Sequence, residues 1–247
     1  MTTDAYTISG ADRRSRWLIT CDHATNRVPD WVAGGDLGLP AEDMARHIAW
    51  DVGALGVAEA LGEALDATVV SSRFSRLVID PNRGEDDPTI LMRLYDGTVI
   101  PANRAADAAE RERRLDRLWR PYHAAIADLA GRREDTVYLA IHSFTPQLKG
   151  RPFRPWKVTV LWSHLDGRLA QPLIEAFGED EDLFVGDNVP YSGHLPGDSI
   201  DRHALKPGRP NALIEVRNDL IATPEAQSAW ATRLAPYLTR ALVAAGV

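Results

Sequence analysis

Two histidines, His23 and His142, each stand at the carboxyl end of a short apolar run, Trp17 to Cys21 and Thr136 to Ile141. In a parallel α/β sheet such positions open onto one edge, so the two imidazoles can converge there. Convergent imidazoles suit a metal: a zinc hydrolase site takes three N/O protein ligands and keeps a fourth position for water, whose pKa falls to roughly 7. The third ligand must be a nearby carboxylate or histidine. Asp51 in His47-Ile48-Ala49-Trp50-Asp51 is the best candidate, and His47, four residues earlier on the same helical face, competes for the role.

Glu215 interrupts the apolar run Ala212-Leu213-Ile214-Glu215-Val216. A carboxylate in a buried strand is costly unless it is paired or used. Burial favours its neutral form and lifts its pKa toward the range of a general base. Alternatively, Arg217, two residues on and on the same strand face, makes it half of a structural salt bridge. Both readings stay open on sequence alone. Arg73, Arg76, Arg83 and Arg202 fall on loops expected at the sheet edge, where guanidinium groups can clamp an anionic substrate. Cys21 beside His23 could be a nucleophile, although a cysteine that ends a buried strand commonly serves as a small hydrophobe.

The elements that must position these residues follow from apolar periodicity. Trp17 to Cys21 reads as a buried strand, Ala41 to Leu65 as a helix with apolar positions from Ala45 to Ala58, and Thr68 to Ser72 as a second strand. A long helix is expected from about Ala105 to Arg132, with Pro121 as a possible kink. Then come a strand at Thr136 to Ile141, a strand at Val158 to Trp162, a helix at Gly167 to Phe177, a strand at Ala212 to Val216 and a closing helix from Pro224 to Ala245. This alternation predicts one α/β domain over residues 1–247, a three-layer α/β/α sandwich with a mostly parallel mixed sheet. The Gly/Pro-rich stretch from Val185 to Pro210 reads as an active-site loop.

Composition narrows the class. With 45% hydrophobic and 26% charged residues and a net charge of −7, the chain resembles an ordinary globular protein, and nucleic acid is not an expected partner. The cluster Arg111, Arg113, Arg114, Arg117 and Arg120 alternates with acids and apolar residues and reads as a solvated helix face. A single cysteine excludes an internal disulfide and a thiolate-rich zinc site. There is no signal-peptide pattern and no apolar run of the ~18 residues that a membrane span needs, so a cytoplasmic location without membrane contact is expected. Oligomeric state stays open.

Taken together and in order, several segments resemble the N-formylglutamate amidohydrolase family. They are Cys21-Asp22-His23-Ala24-Thr25-Asn26 with Val28-Pro29, Trp50-Asp51-Val52-Gly53-Ala54, and Ser75-Arg76-Leu77-Val78-Ile79-Asp80-Pro81-Asn82-Arg83. Ile141-His142-Ser143-Phe144, Asp201-Arg202-His203 and Ile214-Glu215-Val216-Arg217-Asn218-Asp219 complete the set. The resemblance implies a fold akin to zinc carboxypeptidases and cell-wall amidases, with Zn²⁺ or another divalent metal on His23, Asp51 and His142. It further implies Glu215 as catalytic acid/base and Arg76, Asn82, Arg83 and Arg202 as substrate contacts, with His203 either a contact or a shaper of its loop. Family members that act in histidine degradation carry Pro-His-Ser-Gly where this chain has Cys21-Asp22-His23-Ala24, so the chain looks like a side branch. The expected reaction is hydrolysis of an N-acylated amino acid such as N-formylglutamate, a small anion. A short peptide or cell-wall amide as substrate, and a non-catalytic carboxylate sensor, are the alternatives.

Overall fold

The strands are β1 (Tyr6–Ser9), β2 (Trp17–Cys21), β3 (Thr68–Ser72), β4 (Leu94–Tyr95), β5 (Thr98–Val99), β6 (Val137–Phe144), β7 (Val158–Leu161), β8 (Val185–Asp187) and β9 (Asn211–Arg217). They come from a computed structural model that describes all 247 residues. Seven of them form one sheet in the order β1-β3-β2-β6-β9-β7-β8, while β4 and β5 make a separate hairpin. The centre, β3-β2-β6-β9, is parallel, β1 runs antiparallel to β3, and β7 runs antiparallel to β9 and parallel to β8. The sheet is therefore mixed and mostly parallel, with the central strands pointing their carboxyl ends at one edge.

Period-two alternation divides each central strand between two helical layers. Ile19, Leu139, Ile141, Ala212, Ile214 and Val216 pack with α2 (Ala54–Ala64), α6 (Ala170–Gly178) and α7 (Pro224–Ala244). Leu18, Tyr138, Ala140 and Leu213 pack on the opposite side with Tyr122, Ile126 and Leu129 of α5 (Arg120–Gly131). His142 and Glu215 continue the second series, so they project on the α5 side of the sheet.

Several elements depart from the periodicity. The helix expected over Ala41 to Leu65 is broken: α1 (Ala41–Met44) ends early and α2 begins only at Ala54. Gly53, at φ 80°, reverses the chain between them, and Asp51 sits in the break rather than on a helix. The helix expected from Ala105 is also divided. After α3 (Pro101–Ala105), α4 (Ala108–Arg114) passes through a π turn, Leu115–Trp119, into α5, with Pro121 in the first turn of α5. Pro121 brings no N–H, and the wider turn lets the helix continue past it. Strands β1 and β8 carry no strong apolar run, and the stretch expected as one loop from Val185 contains β8 and a π turn at Asp201–Leu205. No helix is long and apolar enough to cross a membrane.

Candidate metal centre and active site

His23 follows the end of β2, His142 lies near the carboxyl end of β6, and Asp51 reaches between them from the break before α2. The backbone fixes this meeting: Asp51 N donates to the His23 carbonyl at 2.9 Å, and Ser143 N approaches Asp51 Oδ2 at 3.4 Å. Both imidazoles turn Nδ1 to the same oxygen, with His23 Nδ1 at 3.3 Å and His142 Nδ1 at 2.8 Å from Asp51 Oδ2. The three atoms that could hold a metal lie within 4.8 Å of one another. Tetrahedral ligands at zinc distances stand about 3.3 Å apart, so the donor set has the spacing a small divalent ion needs.

The far side of each ring is also provided for. His23 Nε2–H donates to Asp80 Oδ1 at 2.7 Å, and His142 Nε2 stands 3.4 Å from Asp22 Oδ2. Carboxylates behind imidazoles are the usual means of orienting metal-ligating histidines. Asp22 is itself held by the Tyr122 hydroxyl, which donates to Oδ1 at 2.7 Å. Arg76 closes a ring around His23: its guanidinium lies 3.4 Å from Asp51 Oδ1 and 3.1 Å from Asp80 Oδ2.

All these groups are buried, and their charges are set by each other. Burial opposes ionisation of Asp51, but the two histidines outweigh it and hold the carboxyl well below its ordinary range. Burial likewise opposes a charge on His142, yet the carboxylates of Asp22 and Asp51 raise it to about 10. His47 behaves oppositely. It stands 3.5 Å from Asp51 Oδ1, and burial lowers it to about 4 despite that carboxylate.

Glu215 lines the same cavity, about 230 Å³ in volume, together with His23, Asp51, His142, Asn82 and Arg83. Its side chain makes no hydrogen bond, and Oε2 is buried without a partner. Burial pushes its carboxyl up to about 7. The salt bridge to Arg217 does not form, because Arg217 pairs with Asp219 at 2.8 Å and also donates to backbone carbonyls of residues 154–156.

The other sequence candidates separate into two groups. Arg76, Asn82 and Arg83 line the cavity, whereas Arg202 and His203 do not. Arg202 lies over the Trp119 ring at 4.6 Å, and His203 Nε2 meets His123 Nδ1 at 2.8 Å in a buried pair. Arg73 donates to the Thr3 carbonyl at the amino terminus. Cys21 is fully buried among the α2-side core residues, and burial raises its thiol, so it serves as a small hydrophobe and not as a nucleophile. Sequence reasoning missed Asp22 and Asp80 as partners of the histidines; Asp22 carried a signal as the residue that follows β2, whereas Asp80, well beyond the end of β3, carried only its place in the Ser75–Arg83 motif. Tyr95, Tyr191 and Asp198, which also line the cavity, had no such signal.

A buried His-Asp-His set beside an unpartnered glutamate, at the carboxyl edge of an α/β sheet, is equipment of the kind that metal-dependent hydrolases carry. Residues 15–222 match the family model for N-formylglutamate amidohydrolase, and the chain belongs to that family. It is 33% identical over 123 residues to the N-formylglutamate deformylase of Pseudomonas putida, a stretch that is 44% of this chain and 43% of that protein. It is 34% identical over 122 residues to the deformylase of Pseudomonas aeruginosa, covering 45% of this chain and 44% of that one. The match thus spans less than half the length of these curated relatives. Among solved structures, a gene product from Agrobacterium tumefaciens superposes with a TM-score of 0.92 at 36% identity, covering 98% of this chain and 96% of that chain. An N-formylglutamate amidohydrolase from Ralstonia eutropha shares the fold, with a TM-score of 0.71 at 21% identity over 96% of this chain and 99% of that chain.

Proposed function

We propose that the chain is a metal-dependent amidohydrolase that cleaves the amide bond of an N-acylated amino acid, with N-formylglutamate, yielding formate and glutamate, as the first candidate. The observation that carries this reading is the convergence of His23 Nδ1 and His142 Nδ1 on Asp51 Oδ2 beside the unpartnered carboxylate of Glu215. A divalent ion held by these three residues, zinc or another, would supply Lewis acidity toward the amide carbonyl and acidify water.

The remaining work falls to the chain. Glu215 accepts a proton from water and passes it to the leaving amine, a role that suits a carboxyl raised to about 7. Asp80 and Asp22 hold the imidazoles in place, and Arg76 holds Asp51 and Asp80. Two of the Arg76 nitrogens are thereby occupied, which makes it a positioning residue more than a clamp. Arg83, with Asn82 beside it, is the cation left to grip a substrate carboxylate in the cavity.

The test is formate release from N-formyl-L-glutamate by purified protein, before and after a chelator and after metal is restored. Activity that vanishes with the chelator and returns with the metal supports the reading. Turnover that persists without metal would remove it, and no turnover by the metal-loaded protein would remove N-formylglutamate as the substrate.

A further inference from the structure

A second cavity, about 380 Å³, lies beside the one that holds the His-Asp-His set, and His47 and Tyr95 line both. Its other walls are the segments that follow β6 and β9, including Thr145, Lys149 and Asn218, together with the stretch before α2, including Arg46 and Val52, and Asp96 of the β4–β5 hairpin, so it lies at the same carboxyl edge of the sheet. At about 230 Å³ the first cavity is smaller than the roughly 300–1,000 Å³ usual for small-molecule sites, and the second lies across a wall formed by His47 and Tyr95.

The chemistry of the junction and of the second cavity points to its contents. His47 Nδ1 is buried and makes no hydrogen bond, standing 3.5 Å from Asp51 Oδ1, so the shared wall presents a polar atom that the protein leaves without a hydrogen-bond partner. An amide passing between the cavities would satisfy it. The two carboxylates lining the second cavity are already paired, Asp96 with Arg46 at 2.7 Å and Asp219 with Arg217 at 2.8 Å. Lys149 is in no ion pair and is exposed, which leaves the second cavity a free positive charge.

We propose that this second cavity is a subsite for the distal part of a longer substrate, an anionic amide extended by one amino-acid residue, with a second amide at His47 and a terminal carboxylate at Lys149. The proposal rests on the amidohydrolase reading and deepens it. The reaction is unchanged: one water is consumed, hydroxyl goes to the acyl carbon, the C–N bond breaks and a proton goes to the leaving nitrogen. The extension can lie on either side of that bond, and substrates distinguish the two.

The experiment compares kcat/KM of the metal-loaded full chain for N-formylglutamate, for N-formylglutamylglycine, which adds a second amide and a terminal carboxylate on the amine side, and for N-succinylglycylglutamate, which adds them on the acyl side. One extended substrate is expected to exceed N-formylglutamate by about tenfold or more. Thr145→Trp, which fills the second cavity from a residue outside the first, is expected to remove that advantage and leave N-formylglutamate hydrolysis within about twofold. Lys149→Glu, on an exposed side chain, supplies the same test if the tryptophan variant does not fold, and should raise KM for the extended substrate alone. If N-formylglutamate is cleaved and neither extended substrate is preferred, or if the variants lower all rates equally, the subsite is overturned and the amidohydrolase reading stands. If none of the three is cleaved, N-formylglutamate falls as the substrate and the subsite falls with it.

Discussion

Glu215 and His142 are register partners on adjacent parallel strands, β9 and β6, so a carboxylate without a hydrogen bond stands beside an imidazole that points its Nδ1 at Asp51. This separates two functions that a single substitution can distinguish. Glu215→Gln keeps the shape and leaves the His-Asp-His set untouched. We expect metal content to remain that of the wild type while kcat falls by roughly 10²–10⁴-fold, the usual weight of a general acid/base. Metal analysis and a formate assay on the same sample check this, and a fully active Gln variant would remove Glu215 from the chemistry.

His142→Ala should behave differently. It removes one of the three converging atoms and also leaves Asp22 and Asp51 facing each other without their shared partner. Loss of bound metal and of turnover together is the expected outcome. Metal content equal to that of the wild type would mean that His142 is not a ligand.

Arg76 offers a contrast between holding and gripping. Because its guanidinium reaches Asp51 and Asp80, Arg76→Ala is expected to weaken metal affinity by about 10–100-fold, the range for residues that orient ligands, and to lower the thermal midpoint of the metal-free protein. Competition with a calibrated chelator measures the first and thermal unfolding the second. A large rise in KM with unchanged metal affinity would instead make Arg76 a substrate clamp.

The metal-free protein should lose stability as the solution becomes alkaline. His142 is raised from 6.5 to about 10, so its contribution is complete below about 6.5 and disappears as pH rises through about 10. Glu215, raised from 4.5 to about 7, acts in the same direction over its own lower window, because the folded state holds that proton more tightly than the unfolded one. Metal uptake must displace the His142 Nδ1 proton, so affinity should rise with pH and binding near pH 7.5 should release about one proton. Titration calorimetry in buffers of different ionisation enthalpy reads the proton directly. Affinity that stays flat from pH 6 to 8 would contradict the ion pair between His142 and its carboxylates.

Gly53 turns the chain at φ 80° where an added Cβ would collide with the Ile221 carbonyl. Gly53→Ala should therefore cost more than the ~1 kcal/mol typical of strained positive-φ sites, and it should disturb Asp51 two residues before it. A lowered unfolding midpoint together with weakened metal binding is the expected pair of effects.

Much of this arrangement could be read along the chain. Runs such as Trp17 to Cys21 and Ala212 to Val216 declare buried strands because pleat and burial act on a few consecutive residues, and Glu215 stands out because it breaks such a run. The histidines after β2 and within β6 mark the carboxyl edge for the same local reason. The break at Asp51 was hidden: Ala45, Ile48, Ala49 and Val52 keep helical spacing even where Gly53 ends the helix, and nothing local says that the carboxylate must turn back to β2. Strand β1 was hidden as well, since its half-buried residues carry little apolar signal at an edge. Only the fold decided that Asp51 meets His23 across 28 residues and His142 across 91, that Asp80 and Asp22 stand behind the imidazoles, and that Arg202 and His203 lie outside the cavity. The physical reason is range. Periodicity is fixed by neighbours within a turn or a pleat, whereas the pairing of buried charges is fixed by which distant segments the packed sheet brings within a few ångströms of one another.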